Sequence, residues 1–285
     1  MAINLHFFRS NDLEILDFIK VFEFFEDYPN FKIFYGPETV EIAYTDEDFK
    51  FYYRYLITKK SRVNNIYKLN PGYTNCNFLL ELPVAIPTFL AKEILAITQK
   101  ICKLFELEIY HDSFDDVRAF NLVDVLVLFE ETRKAYLEEY GIQDKIYMDH
   151  SKLNEICKYQ RSVDSLCEYY HGEVDVPMAK PIIDNISGVN GISCTWTVGR
   201  ATVFPPHVDY IYVLDDENVS FLVPRNEFYT IMDKYLVDIL NFLPDMYLIK
   251  QKEAKKARKV LGKLRKYAIT EHNFIQRRLC DYVDR

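Results

Sequence analysis

His207 and Asp209 stand two apart in the stretch Phe204-Pro205-Pro206-His207-Val208-Asp209. On an extended strand that spacing puts both side chains on one face. A carboxylate beside an imidazole can orient it as a general base. Arg200, a few residues upstream, adds a cation able to hold an anion. No nucleophile stands at a telling spacing, so the chemistry expected there is proton transfer at most. The competing expectation is plain: Pro-His and Asp-Tyr are ordinary residues at a strand start.

Two further clusters carry ligand-type side chains. His111, Asp112, Asp115 and Asp116 follow an apolar run at 107–110. One imidazole and three carboxylates suit Mg²⁺ or Mn²⁺, although Asp and Ser are also the residues that cap and close turns. Cys167 and His171 are four apart, on one face of a helix, as in half of a zinc site. His150 and Cys157 lie nearby in sequence, but Cys157 is ten residues from Cys167 and falls on another helical face. No metal or other cofactor is therefore expected.

The sharpest feature is a run of charge. Residues 250–266 hold Lys250, Lys252, Lys255, Lys256, Arg258, Lys259, Lys263, Arg265 and Lys266, opposed only by Glu253. Ala257, Val260, Leu261, Leu264 and Ala268 recur at helical spacing, which predicts a basic amphipathic helix over 250–268. Residues 250–285 contain twelve Lys/Arg and four Asp/Glu, against twenty-three and thirty-nine in residues 1–249. The net charge of the whole chain is −8. Such a face is either solvated, laid on the chain's own acidic surface, or a binding face for an acidic protein or a polyanion. No aromatic residue interleaves the lysines as a base-stacking platform requires. The acidic remainder would also repel phosphates unless the charges segregate. A protein partner is thus expected ahead of nucleic acid.

Aromatics are abundant, with 22 Tyr and 21 Phe against one Trp, Trp196. Most are expected in a core. Phe49, Phe51, Tyr53 and Tyr55 alternate with Tyr52 and Arg54, so one face of that strand is core and the other is a candidate platform of the Tyr/Arg type found at interfaces. Trp196 is a candidate core or interface anchor. Only 8 glycines occur, and no phosphate-cradling glycine loop, dinucleotide fingerprint or nucleophile elbow is present. The start of the chain lacks a secretory pattern, no apolar run approaches a membrane span, and the six cysteines form no CxxC. These features predict a cytoplasmic protein with buried thiols and no membrane association.

The elements that would position these residues follow from periodicity. A strand is expected at 3–8 and a helix from Asn11, with Glu14 completing a capping box and Ile15, Phe18, Ile19, Phe22 and Phe25 inward. Period-two strands come next at FKIFYG, TVEIAYTD, FKFYYRYLIT, VNNIYKL and NCNFLLELPVA. After them are a helix from Thr88 to Leu104, strand 107–110, and long helices from Asn121 and Ser151. Pro181 predicts an edge strand. Strands at 192–223, with an acidic turn at Asp215-Asp216-Glu217-Asn218, lead into a helix at 226–241, and the last residues are expected to be helical. Residues 78–110 and 221–249 share a strand–Pro–helix–strand outline, one possible sign of duplication.

The chain is therefore expected to be α+β: two sheet-containing halves, mostly antiparallel with helices on one face, joined by two long helices and ending in a basic helix. The expected segments are 1–116, 117–172 and 173–285. Three function classes are open. The leading one is a binding protein acting through Lys252, Lys255, Lys256, Lys259, Lys263 and Lys266 or through Tyr52, Arg54 and Trp196. The others are an enzyme built on His111–Asp116 or His207–Asp209, and a polyanion binder through 250–266.

Overall fold

The computed structural model describes residues 1–141, 145–215, 219–240, 242–269 and 273–284. The chain is mixed α+β and divides into two compact units. Unit one holds Met1–Tyr147 and Cys280–Val283; unit two holds Met148–Leu279 together with Asp284.

Unit one begins with β1 (Ala2–Ser10), α1 (Phe18–Glu26), β2 (Phe31–Tyr35), β3 (Thr39–Asp46), β4 (Phe51–Thr58) and β5 (Tyr73–Pro83). It continues with α2 (Thr88–Leu104), β6 (Leu107–Tyr110), α3 (Leu122–Tyr140) and β7 (Ile146–Met148). Six strands form one antiparallel sheet in the order β2-β3-β4-β5-β1-β6. Strict alternation decides its faces. Phe51, Tyr53 and Tyr55 of β4 are buried, while Tyr52 and Arg54 look the other way. Tyr55 centres the aromatic core: its ring meets Phe25 of α1 and Phe78 of β5, and its hydroxyl is 2.9 Å from Thr98 Oγ1 of α2.

Three local expectations fail in this unit. Asn11 does not cap a helix: its amide donates to Pro71 O at 2.6 Å, and α1 starts later, capped by Asp17, which accepts from Ile19 N–H. Ile15 and Ile19, expected inward, are 94% and 68% exposed as a result. The VNNIYKL run is a 3-10 turn at Ile66–Lys68, not a strand, because Asn65 adopts the left-handed region. Asn121, in contrast, caps α3 as expected, accepting from Val123 and Asp124 N–H.

Unit two contains α4 (His150–Tyr169), β8 (Lys180–Asp184), β9 (Asn190–Thr197), β10 (Thr202–Phe204), β11 (Tyr210–Leu214) and β12 (Ser220–Pro224). After these come α5 (Arg225–Met232), β13 (Leu236–Asp238), β14 (Tyr247–Ile249), α6 (Gln251–Ala257), α7 (Leu261–Arg265), β15 (Phe274–Gln276) and β16 (Tyr282–Asp284). The two long helices, α3 and α4, therefore fall one in each unit. A five-stranded sheet runs β12-β11-β9-β8-β15 and a three-stranded sheet runs β10-β14-β13. Within these two sheets the strand pairings among the described residues are antiparallel except β9 with β11. β7 and β16 pair as a two-stranded ribbon.

The C-terminal expectation is overturned. Residues 274–276 and 282–284 are strands, β15 and β16, with a 3-10 turn at Leu279–Asp281 between them, and 279–284 are buried without a break. The basic helix expected over 250–268 is three pieces: α6, a 3-10 turn at Arg258–Val260, and α7, which carries Gly262. The helix expected at 226–241 stops at Met232, and β13 comes soon after. Pro181 does not mark an edge, since β8 lies between β9 and β15. Its missing N–H is harmless because it sits where the β15 ladder ends, accepting from Arg277 N–H at 2.8 Å. The two strand–Pro–helix–strand segments are not equivalent: β5 and β6 both pair with β1, whereas β12 and β14 lie in different sheets. Of the expected acidic turn, Asp216, Glu217 and Asn218 lie outside the described residues, as do Glu271 and His272 of the expected terminal helix.

Trp196 is fully buried in unit two, edge-on to Phe228 of α5, with its indole N–H donating to Arg200 O at 3.3 Å. It anchors the core and offers no contact surface. Trp196→Ala is expected to destabilise unit two by about 3–5 kcal/mol through the cavity it leaves. Urea unfolding followed by circular dichroism measures this. Intrinsic tryptophan emission of the unaltered chain should track unit two alone, since the other unit has no tryptophan.

Candidate functional site

The structure brings His207 to a different acid from the one next to it in sequence. His207 Nε2 lies 2.6 Å from Glu155 Oε2 of α4, and its Nδ1 is 3.9 Å from Asp245 Oδ2. His207 and Asp245 both take left-handed backbone angles, with φ of 55° and 62°. Such conformations cost roughly 1–3 kcal/mol in a non-glycine residue. They are held here by a shared bond, His207 N–H to Asp245 Oδ2 at 3.1 Å. Asp245 also pairs with Arg225, whose other arm donates to Val208 O at 3.0 Å. Asp209 faces elsewhere: its carboxylate accepts from Ile192 N–H at 2.8 Å and lies 3.1 Å from Lys152 Nζ. Arg200 pairs with Asp175 at 2.9 Å. The three residues expected to act together thus have three separate partners. The imidazole nitrogen a general base would present is occupied by Glu155. Chemically, the arrangement is a clamp that ties α4, the 205–209 loop and the start of α5 together.

His111–Asp116 is likewise a set of turn bonds. His111 Nδ1 lies 2.8 Å from Ser113 Oγ, and Asp116 accepts from the N–H groups of Asn70 and Val117. Asp112 takes a bond from Asn64. Among the described residues no group of three or more His, Cys, Asp or Glu side chains is placed to hold a metal ion. No disulfide joins the six cysteines; Cys167 is part-exposed, and His171, four residues on, takes left-handed backbone angles past the end of α4. No helix among the described residues is long and apolar enough to cross a membrane.

The Tyr52/Arg54 face carries its own counter-charges. Arg54 donates to Glu81 at 2.6 Å and to Glu41 at 3.0 Å, Arg62 reaches Glu81 at 3.3 Å, and the Tyr52 hydroxyl is given to Glu41. The Glu81 bond and the nearby carboxylates hold the Arg54 pKa above its ordinary value, so its charge is fixed and already matched.

The cationic run presents a contrast. Its backbone is firmly placed. Gln251 donates to Gly199 O at 2.9 Å and accepts from Ala201 N–H at 3.1 Å. The Arg258 guanidinium lies where a Cβ at Gly199 would stand 2.7 Å away, so glycine is required there for space as well as for its φ of 84°. Ala254, Ala257, Val260 and Leu264 are buried, and Arg265 pairs with buried Asp215. Outward, Lys256 pairs with Glu253 at 2.7 Å. Lys250, Lys252, Lys255, Lys259, Lys263 and Lys266 are exposed and make no ion pair among the described residues. The apolar stripe in the sequence found the docked side; the absence of counter-charges needed the fold.

His6 carried no signal in the sequence. It lies on the opposite sheet face from Phe7 and is 5% exposed. Burial lowers its pKa to about 4, opposed by the nearby Asp112 carboxylate and helped by His111 and Arg62. Compared with known proteins, the chain matches no family model, no curated protein and no solved structure.

Two outcomes are expected. Asp209→Ala should cost roughly 1–3 kcal/mol, because it strands the buried Ile192 N–H, whereas Glu155→Gln should cost under about 1 kcal/mol; chemical denaturation ranks the two. For His6, the unfolded chain protonates below its ordinary pKa of 6.5 while the folded chain stays neutral to about 4. Stability is then full above that ordinary value and falls by about 1.4 kcal/mol per pH unit as pH drops through the window. His6→Leu should flatten this part of the profile in urea melts.

Proposed function

We propose that this chain is a cytoplasmic binding protein whose recognition surface is the cationic face of residues 250–266. Its partner is a protein surface rich in carboxylates. The observation that carries this reading is the set of six exposed lysines that make no ion pair among the described residues, on an anchored backbone. Six like charges within seventeen residues repel one another, and a complementary acidic surface relieves that repulsion while steering encounter. The anchoring matters because the backbone has little left to order on binding, which lowers the entropic penalty. Lys252, Lys255, Lys259, Lys263 and Lys266 are the residues assigned to contact, with Lys256 partly held by Glu253. The Tyr52/Arg54 face supports a binding role less well, because its charges are internally matched. His207 and His111 are committed to structural bonds, which favours binding over catalysis.

Nucleic acid is the competing occupant of the same face. The lack of aromatics among the lysines weighs against base stacking, although not against phosphate contact. Fluorescence anisotropy with a labelled poly-glutamate peptide and with labelled single- and double-stranded oligonucleotides, across a salt series, separates the two. The peptide should bind and weaken with salt, and combined Lys252→Glu, Lys255→Glu, Lys259→Glu and Lys263→Glu should abolish it. Tighter binding of an oligonucleotide at matched salt gives the face to nucleic acid. Failure of both probes at low salt defeats the proposal.

A further inference from the structure

Unit one contains a second positive feature of a different kind. A cleft of about 470 Å³ opens beside the end of β1, between the 10–16 segment and the start of β5. Volumes of about 300–1,000 Å³ are those of small-molecule sites. Its wall is made partly by a bulge: Phe7 pairs with Phe78 but Phe8 pairs with Asn75, so Cys76 and Asn77 are extra residues. Asn77 turns into the left-handed region there, with φ of 53°.

The one cation lining this cleft is Arg9. Its side chain is only 17% exposed, and its hydrogen bonding is incomplete. One arm donates to Glu14 O at 2.6 Å. The other is 3.6 Å from the carboxylate of Glu106, itself 64% exposed. The Nε is buried with no hydrogen-bond partner. A guanidinium offers five donors in a planar fork suited to a carboxylate. Here the fork is desolvated and weakly countered. Beside it the cleft presents Leu13, Ile15, Leu16 and Phe18. Ile15 is 94% exposed, an apolar side chain left in water at the rim of an apolar wall. Glu14 is the one carboxylate lining this cleft; an adjoining cleft of about 460 Å³ shares Arg9 and Glu14 but adds Asp17, Glu23 and Asp27, a setting that repels anions far more strongly.

We infer that the 470 Å³ cleft is a binding site for a small amphiphilic monocarboxylate, with its carboxylate on Arg9 and its apolar body against Ile15, Leu16 and Phe18. The carboxylate accepts from the terminal N–H groups of Arg9, whose Nε stays buried behind them, and the apolar body covers Ile15. Cys76, in the same wall, reports occupancy. Its thiol is pushed up to about 11 by burial, so it alkylates slowly, and a bound ligand slows it further.

The test uses octanoate, with octylamine as the control of equal chain length and opposite charge. Titration calorimetry on the full chain should show octanoate binding and no octylamine binding. Octanoate should protect Cys76 from N-ethylmaleimide, read by mass spectrometry, and leave Cys167 unprotected. Arg9→Gln should weaken octanoate by about tenfold or more, the loss of a charged hydrogen bond. Ile15→Asp, at an exposed position that cannot disturb the core, should do the same. Equal binding of octanoate and octylamine, an unprotected Cys76, or undiminished affinity in Ile15→Asp would each overturn the assignment.

Discussion

Asp209 solves the one topological difficulty of unit two. β9 and β11 run parallel in an otherwise antiparallel sheet, so the chain must leave after Thr197 and return at Tyr210 on the same side. Parallel neighbours need a connection of about a dozen residues, and residues 198–209 supply it, spending Thr202–Phe204 on pairing with β14. Asp209 fixes the point of return. Its N–H donates to Ile192 O at 2.7 Å, its carboxylate accepts Ile192 N–H, and its carbonyl accepts Arg225 N–H at 2.9 Å. The fit is close enough that a Cβ at Gly191 would stand 2.8 Å from Tyr210 Cε2 and 3.1 Å from Asp209 Cβ, so glycine occupies that site. With the register of β11 fixed, β12, α5 and the burial of Trp196 against Phe228 fall into place.

This use of a carboxylate recurs and accounts for where the charges end up. Asp184 accepts from Ile186, Ser187 and Asn273 N–H, and the Ser187 hydroxyl bond, together with these backbone bonds, lowers its pKa. Asp215 accepts Val219 N–H, Asp116 accepts two, and Asp149 caps α4. Turns and helix starts leave unpaired N–H donors, and a carboxylate is an acceptor that satisfies them. An ammonium group has no acceptor and cannot serve there. Acidic side chains are therefore drawn into the backbone, while lysines stay outside. Lys250, Lys252, Lys255, Lys259, Lys263 and Lys266, without an ion pair among the described residues, are the far end of that asymmetry.

How legible this was depended on whether a signal was local. The antiparallel strands β2 to β5, the Asn121 cap and the buried stripe of 250–266 were readable, because period and cap chemistry act within a few residues. The start of α1 was not, since Asn11 was claimed by Pro71, some sixty residues away. The helical reading of 273–284 failed for a related reason: Phe274–Gln276 pair with β8 and Tyr282–Asp284 with β7, and only a 3-10 turn at Leu279–Asp281 is helical. For the candidate site, the sequence named His207 and Asp209 but paired them wrongly. Glu155 and Asp245 reach His207 only through tertiary structure, and nothing in their spacing announced it. Arg9 and His6 looked like ordinary polar residues in a strand, and only burial sets them apart.

The two positive features differ in kind, and that difference limits what each can recognise. The lysines of 250–266 are hydrated point charges on flexible stems, so their attraction is long-ranged and screened within about 8–10 Å at ordinary salt. Such a surface selects by charge density and tolerates many shapes. Arg9 is mostly out of water, its planar fork held by Glu14 O and its Nε unmatched. In that setting an interaction is short-ranged, directional and little affected by salt. A ligand there must present a carboxylate in the plane of the fork and an apolar body of limited size. One chain thus carries a broad electrostatic surface in unit two and a narrow, shape-selective cation in unit one. The chemistry of Arg9 does not require the lysine face, nor the lysine face Arg9.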